Sequence, residues 1–314
     1  MIYKIQFLIL TAVFAISAIG QVPSERDKQR VRPVTVPISI YTKQELDSDR
    51  ADEYVQADRL VVKEDNDEQA ILSIRSVSNS PLALAILVQE ELTSDFNLQI
   101  PQLRSFIRGL PKGTRVLVGT VRGGTLIIRQ KFTDDLEKAA KAVTIVAGSS
   151  ITSGNGPWEG VSDLTGRFEG LPTGRRAILL VSDGFDSTLG ASPFSSYESP
   201  ALERAISRAQ KRSVAVYGFF SPTSATDGRN SNLALSAQGA LQRMSDETGG
   251  RAFFQGSGAP VSFEPFFKDL VILINRQFAL TFLSTHMKKG FHRLDITSTN
   301  PLVKIEHPQG YYYR

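Results

Sequence analysis

The chain has 314 residues, of which 41% are hydrophobic and 22% are charged, a composition typical of a globular protein. Lysine and arginine exceed aspartate and glutamate only by 36 to 32 and are scattered along the chain. This argues against a nucleic-acid-binding protein, since such proteins concentrate basic residues in one stripe. The lack of cysteine excludes a disulfide scaffold, a zinc–thiolate site and a cysteine nucleophile.

The first twenty residues have the pattern of an export signal. Lys4 precedes the apolar stretch Ile5–Ile19, and the small residues Ala18 and Gly20 lead into a polar run. This predicts a signal peptide over residues 1–20, cleaved near Gly20. The apolar stretch is shorter than the roughly 20 residues that span a bilayer, although an uncleaved anchor remains the alternative. We expect a periplasmic or secreted product with no membrane span once the signal is removed.

Residues 21–77 are predicted to form a polar leader followed by β-strands. Alternating apolar residues and β-branched side chains favour strands in this region, and the acidic stretch Glu45–Glu53 is expected to be an exposed loop or a short helix. The predicted strands are Val34–Tyr41, Arg59–Lys63 and Ala70–Val77.

Strand and helix patterns alternate over residues 78–276. Leu82–Val88 and Ala177–Ser182 are nearly unbroken apolar runs, typical of strands buried on both faces. Gly123 and Gly124 between two β-rich runs predict an antiparallel hairpin. The other predicted strands are Arg115–Val121, Thr125–Lys131, Val214–Phe220 and Ala252–Phe254, and the predicted helices are Leu103–Leu110, Leu136–Val146, Ala201–Lys211, Leu233–Thr248 and Phe263–Ile274.

This alternation predicts an α/β fold with a doubly wound, mostly parallel sheet of the Rossmann type and one antiparallel edge hairpin. The strand-like tail, residues 277–314, is predicted to join the N-terminal strands in a small β-module. In such a sheet a ligand crevice forms beyond the carboxyl ends of the strands, where the strand order reverses. If Leu82–Val88 is central, Gln89 and Asp183 lie side by side at this rim.

Three stretches resemble a von Willebrand factor type A domain in the order expected of that family. They are Ala177–Gly184, Ala209–Gly218 and Met244–Phe254. The tail, with Arg276–Phe282 and Gly310–Tyr313, is similar to a bacterial exported subgroup typical of Acidobacteria. The resemblance covers about residues 60–314 and implies a protein-binding or adhesion module with this α/β fold.

The resemblance also implies a degenerate metal-ion-dependent adhesion site. The family uses an Asp-x-Ser-x-Ser motif, a threonine from a middle loop and a late aspartate. The motif positions fall here on Gln89, Glu91 and Thr93, so the leading aspartate is missing and a longer carboxylate replaces the first serine, while Asp183 matches the late aspartate. The middle threonine has no secure match, and the nearby hydroxyl residues are Ser149, Ser150 and Thr152.

Two binding hypotheses follow. In the first, the loops at 89–95, 148–170 and 183–197 bind an unidentified protein or peptide of the cell envelope without a cofactor. In the second, Glu91, Thr93 and Asp183 hold Mg²⁺ or Mn²⁺, ions that prefer oxygen ligands, and a carboxylate of the partner completes the shell.

Structural interpretations of the same residues remain open. Asp183 followed by glycine also suits a plain turn, and Glu90 and Glu91 suit a solvated loop edge. Asp186 is expected at the surface. Trp158, the only tryptophan, is either a recognition residue at the rim or a cap on the core.

Catalysis is not predicted. The three histidines, His286, His292 and His307, lie in the tail without metal-ligand spacing, and the sequence lacks a Gly-x-Ser-x-Gly motif and a phosphate-binding loop. A hydrolase that uses Glu91 and Asp183 as paired carboxylates is the least favoured hypothesis.

Overall fold

The structure is a computed structural model that describes residues 30–42, 60–76, 81–148, 155–186, 188, 196–227 and 231–313. The predicted signal peptide, the stretch Glu45–Glu53 and the hydroxyl residues Ser149, Ser150 and Thr152 lie outside these residues. The described residues of Val31–Arg314 form one compact unit with two β-sheets. Within the described residues, no helix combines the length and the apolar character needed to cross a membrane.

The first sheet has six strands, five of them parallel. Its strands are β4 (Ala83–Gln89), β5 (Arg115–Arg122), β6 (Thr125–Thr133), β7 (Arg176–Ser182), β8 (Val214–Phe220) and β9 (Ala252–Phe253). The order across the sheet is β6–β5–β4–β7–β8–β9, and only β6 is antiparallel to its neighbour. The predicted α/β class, the parallel strands and the antiparallel edge hairpin are confirmed.

Helices cover both faces of this sheet because its central strands are apolar on both faces. Every residue of β4, β7 and β8 is buried. Successive side chains of a strand point to opposite faces, so Leu84 and Ile86 join one core and Ala85 and Leu87 the other. The first core also contains residues of α1 (Ile100–Arg108), α2 (Leu136–Lys141) and α6 (Glu264–Asn275), and the second contains residues of α3 (Trp158–Thr165), α4 (Pro200–Lys211) and α5 (Ser231–Thr248).

Helix α2 is shorter than predicted. It was expected to reach Val146 and ends at Lys141. Side chains from other segments hold the residues that follow it in a non-helical course. Arg104 donates to the carbonyl oxygen of Val143 at 2.7 Å, and the amide of Asn97 bonds to both the N–H and the C=O of Val146 at 2.8 and 3.0 Å.

The second sheet has seven antiparallel strands from the two ends of the described chain. They are β1 (Arg32–Thr42), β2 (Leu60–Glu64), β3 (Asp67–Arg75), β10 (Gln277–Ser284), β11 (Gly290–Ser298), β12 (Val303–Glu306) and β13 (Gly310–Tyr313). Their order is β12–β1–β10–β3–β2–β11–β13. A third apolar core, with Val36, Ile38, Phe282 and Ile296 among its members, packs on this sheet. N- and C-terminal strands are therefore interleaved within one sheet.

The fold predicts a sharp difference between two glycines. A Cβ on Gly250, which follows α5, would lie 2.0 Å from the carbonyl oxygen of Val216 in β8, whereas a Cβ on Gly258 would meet no heavy atom within 4 Å. We expect Gly250→Ala to lower the free energy of unfolding by about 1–3 kcal/mol and Gly258→Ala to change it by less than about 0.5 kcal/mol. Urea denaturation of both variants measures this, and equal stabilities would contradict the packing of this turn on β8.

Candidate functional site

The candidate site lies at the carboxyl ends of the parallel strands. The strand order reverses at β4, since β5 follows it on one side and β7 lies on the other. Open α/β sheets form their ligand crevices at such a point. Residues 90–93 leave β4 here, residues 183–186 leave β7, and residues 221–223 leave β8.

Gln89 joins the ends of β4 and β7. Its side-chain oxygen accepts hydrogen bonds from the Ser182 hydroxyl at 2.5 Å and from the backbone N–H of Asp183 at 3.2 Å. The Ser182 hydroxyl in turn accepts from the N–H of Gly184 at 2.9 Å. The predicted adjacency of Gln89 and Asp183 is therefore present, with Ser182 as a third member.

The carboxylate of Asp183 is buried, with 1% of the residue exposed. Its Oδ2 accepts from the hydroxyls of Thr223 at 2.7 Å and Thr226 at 3.1 Å, and its Oδ1 accepts from the N–H of Phe185 at 3.1 Å. Burial raises the pKa of Asp183 to about 6, and these hydrogen bonds limit the rise. Asp183 thus both closes a turn, through Phe185, and lines the end of the sheet.

Sequence reasoning missed Thr223 and Thr226. Both are buried, and the segment that carries them pairs with the loop after β4, because Leu92 bridges to Thr223 and the N–H of Thr93 donates to the Pro222 carbonyl at 2.9 Å. Their position in the sequence could have identified them. They follow β8, the next parallel strand, which ends at the same edge of the sheet as β4 and β7.

Glu90 and Glu91 are held by the neighbouring hairpin. Glu90 accepts from the Thr120 hydroxyl at 2.6 Å and pairs with Arg129 at 2.8 Å. Although burial opposes the shift, these contacts lower the pKa of Glu90 below its usual value. Glu91 is buried, and its Oε1 accepts from the N–H of Gly123 in the β5–β6 turn at 2.7 Å. The interpretation of Glu91 as a solvated loop edge is therefore wrong.

Trp158 is a core residue, and its prediction as a rim residue for recognition is corrected. It is fully buried at the start of α3, in the apolar core that also contains Val121 of β5. Helix α3 lies very close to this strand, since a Cβ on Gly160 would be 2.5 Å from a methyl carbon of Val121. An apolar ring at the first turn of a helix so close to the sheet is directed inward and is unavailable to a partner.

Asp186 is also buried, contrary to the surface position expected from the sequence. It accepts from the N–H and the hydroxyl of Thr188 at 3.0 and 2.8 Å and from the hydroxyl of Ser199. Ser199 caps α4 by accepting from the N–H of Ala201 at 3.2 Å. Asp186 therefore fixes the loop after β7 to the start of α4.

The metal hypothesis concerns Glu91, Thr93 and Asp183, which provide two hydrogen-bonded carboxylates and one hydroxyl without a hydrogen bond at this edge. Glu91 and Asp183 already accept hydrogen bonds from within the chain. The Thr93 hydroxyl is buried and makes no hydrogen bond. Oxygen donors of these types suit Mg²⁺ or Mn²⁺. Across the described part of the chain, however, no three His, Asp or Glu side chains are grouped as ligands of one ion.

Comparisons with known proteins give low-identity structural similarity. Neither a protein-family model nor a curated protein matches the chain. The chain is similar to the solved structure of BatB from Bacteroides thetaiotaomicron, with 15% identity over 62% of this chain and 97% of that chain and a TM-score of 0.42. The structure of a von Willebrand factor type A protein from Catenulispora acidiphila is 13% identical in sequence. The match covers 83% of this chain and 65% of that chain, with a TM-score of 0.39. The vWF domain of the type V pilus tip protein Mfa5 from Porphyromonas gingivalis is 11% identical in sequence. The match covers 62% of this chain and 94% of that chain, with a TM-score of 0.40.

Asp183 should make stability fall as the pH rises. Its pKa increases from the ordinary aspartate value of 3.8 to about 6 in the folded protein, so the folded state binds this proton more tightly than the unfolded chain does. The contribution is complete below pH 4 and is lost as the pH rises to about 6. The free energy of unfolding of Asp183→Asn does not include this contribution. We therefore expect its difference from wild type to shift in favour of the variant by up to about 3 kcal/mol as the pH rises from about 4 to above about 6.

Denaturant unfolding at several pH values measures this difference. Asp163→Asn is the matched control, because Asp163 is exposed and pairs with Arg208 on the protein surface, where such pairs contribute little. A stability difference between Asp183→Asn and wild type that did not vary with pH would contradict the burial of this carboxylate.

Proposed function

We propose that this chain is an exported von Willebrand factor type A–like binding module that recognises a protein or peptide partner with the loops at the carboxyl ends of β4, β7 and β8. One observation carries the proposal. The buried side chains of Gln89, Asp183 and Thr223, at or just after the ends of three strands, join the loops that follow these strands at the point where the strand order reverses, the position at which open α/β sheets bind their ligands.

The proposed recognition is largely metal-free. Gln89 stands where the resembling family has an aspartate, and a neutral amide contributes no charge to hold a cation. Its oxygen is occupied by Ser182 and by the N–H of Asp183. Asp183 has its charge stabilised by the hydroxyls of Thr223 and Thr226. These internal hydrogen bonds reduce the gain that a divalent ion would obtain by binding the same oxygens.

Binding is proposed in preference to hydrolysis because the two candidate carboxylates are engaged separately. Glu91 accepts from the β5–β6 turn at Gly123, whereas Asp183 accepts from Thr223, Thr226 and Phe185. General acid–base catalysis by a carboxylate pair requires both groups to reach one reacting bond. The signal-like residues 1–20 support a periplasmic or secreted location for the module.

Partner capture tests the proposed face. Ser94 is exposed at the rim just after Thr93, and Thr173 is exposed before β7, at the opposite end of the sheet. We expect Ser94→Arg, which adds bulk and charge to the proposed face, to weaken partner binding at least about thirtyfold. The matched control, Thr173→Arg, should leave binding unchanged. Cross-linking of the full chain in its native cell envelope, followed by mass spectrometry, identifies the partner, and titration of that partner measures the affinities.

Loss of binding with Thr173→Arg and not with Ser94→Arg would place the partner at the other end of the sheet and overturn the proposal. Circular dichroism spectra of both variants show whether a loss of binding reflects unfolding. Because both positions are exposed, we expect both variants to keep the wild-type spectrum.

Calorimetry distinguishes the metal-dependent alternative. In that alternative, Glu91, Thr93 and Asp183 are the ligands. The metal-free proposal predicts no saturable heat when millimolar Mg²⁺ or Mn²⁺ is added to the wild-type chain. Saturable heat that disappears in Thr93→Val, which removes the unengaged hydroxyl, would instead establish the divalent-cation site.

A further inference from the structure

The seven-stranded sheet contains a second polar cluster that the sequence did not predict. It joins the β2–β3 hairpin to β1 and to the segment from the end of β10 into β11. The rings of His286 and His292 lie 5.8 Å apart between their centroids. The charged and titratable groups that surround them in the described chain are Arg32, Glu64, Asp65, Asp67 and Tyr311.

Glu64 is the central member of this cluster and is completely buried. Its Oε1 accepts from the hydroxyls of Ser284, at 3.0 Å, and Tyr311. Its Oε2 makes no hydrogen bond. The nearest arginine nitrogen, Nη2 of Arg32, is 3.9 Å from Oε1. A buried carboxylate requires charge compensation, and one distant guanidinium supplies only part of it.

His286 has a carboxylate oxygen at each ring nitrogen. Its Nε2 is within hydrogen-bonding distance of Oδ2 of Asp67, at 3.1 Å. Its Nδ1 lies 3.3 Å from Oε2 of Glu64, an ion-pair distance without a hydrogen bond. A neutral imidazole carries one N–H, whereas the imidazolium carries two. The neutral ring would therefore present a lone pair to one of the two carboxylates, and only the doubly protonated ring is matched to both.

His292 also has an acceptor oxygen at each ring nitrogen, one from a carboxylate and one from a backbone carbonyl. Its Nδ1 lies 2.7 Å from Oδ2 of Asp65 and 3.4 Å from Oε1 of Glu64, and its Nε2 lies 2.7 Å from the carbonyl oxygen of Lys288. Neither a carboxylate nor a carbonyl can donate a proton. Both ring nitrogens of His292 thus face acceptors only.

The charges balance when both rings are protonated. Glu64, Asp65 and Asp67 supply three negative charges, and Arg32 with two imidazolium rings supplies three positive charges. With neutral histidines the same cluster carries a net charge of −2 around a buried carboxylate. Although burial opposes the shift, the N–H of Arg293 and, after it, the hydrogen bond from His292 lower the pKa of Asp65.

We propose that these residues form a proton-dependent clamp, in which doubly protonated His286 and His292 fasten the segment from the end of β10 into β11 to the β2–β3 hairpin. Loss of the second proton from each ring sets lone pairs against acceptor oxygens and releases the clamp. The clamp is therefore closed in mild acid and loosens as the pH rises. It is separate from the crevice and does not depend on the proposed binding function.

Nitrogen NMR of the unmodified full chain tests the protonation state directly. We expect all four ring nitrogens of His286 and His292 to show the shifts of protonated nitrogen at pH 6. An unprotonated nitrogen in either ring at that pH would overturn the proposal. This measurement needs no variant, so it decides the matter even if a substitution prevents folding.

Thermal unfolding between pH 6 and pH 9 tests the clamp energetically. We expect the wild-type Tm to fall by at least about 3 °C over this range and the double variant His286→Gln/His292→Gln to lose most of that dependence, because glutamine does not titrate. His307→Gln is the comparison variant, since His307 accepts from the N–H of Ile296 outside the cluster. Burial lowers the pKa of His307, so this residue makes stability rise with pH, and its removal should steepen the fall in Tm rather than lessen it.

Two results would overturn the clamp. One is an unchanged pH dependence in the double variant. The other is a fall in the wild-type Tm on addition of EDTA at neutral pH, which would identify a metal ion rather than protons as the group that links the two segments.

Discussion

The parallel pairing of β4 with β7 is the interaction on which the candidate site depends. The register places Val88 opposite Val181, so Gln89 and Ser182 are level at the ends of their strands and their side chains bond at 2.5 Å. The pairing is stable because both strands are buried on both faces, where apolar side chains gain the most from removal from water. A shift of one residue would separate Gln89 from Asp183 and reverse every side chain of β4.

The two polar clusters compensate a buried carboxylate in different ways. At the crevice, Asp183 accepts from the neutral hydroxyls of Thr223 and Thr226, and burial still raises its pKa to about 6. In the other sheet, Glu64 is surrounded by Arg32 and two histidines that can carry charge. Hydroxyls adapt to either protonation state because they can donate or accept, whereas an imidazole with acceptors at both nitrogens cannot.

The features that could be predicted from the sequence are those that depend on local periodicity and on where the strands end. The apolar runs at Leu82–Val88 and Ala177–Ser182 became parallel neighbours, and the adjacency of Gln89 and Asp183 followed from the rule for sheet edges. Trp158 could not be placed, because a glycine-rich surrounding does not reveal how closely α3 approaches β5. The length of helix α2 was overestimated, because the side chains that hold the residues after it in a non-helical course, those of Asn97 and Arg104, belong to a distant segment of the chain.

Long-range pairing explains what else was missed. The hydroxyl of Ser284 meets Glu64 across 220 positions of the chain, and no local pattern encodes that contact. The histidines of the tail consequently appeared isolated in sequence. The N- and C-terminal strands were expected to associate, but their order in the sheet depends on which strands pair, and strand registers of this kind are set by the assembled core rather than by any single segment.

The seven-stranded sheet contacts the six-stranded sheet at the amino ends of its parallel strands. Arg175, just before β7, is buried and donates to the carbonyl oxygens of Gln277 and Ile274 at 2.9 and 2.8 Å. Ser213, just before β8, donates to the carbonyl of Thr35 at 2.9 Å.

Gly174 also precedes β7, and a Cβ there would lie 2.3 Å from that of Ala279. These contacts all involve residues that come just before a parallel strand. Apart from the bond from Arg175 to Ile274 of α6, they attach the second sheet to the amino ends of the first. Because parallel strands expose their amino and carboxyl ends at opposite edges, the attachment leaves the edge with Gln89 and Asp183 clear of the second sheet. A chain built in this way can use one end of its sheet for internal assembly, and the proposed function assigns the other end to recognition.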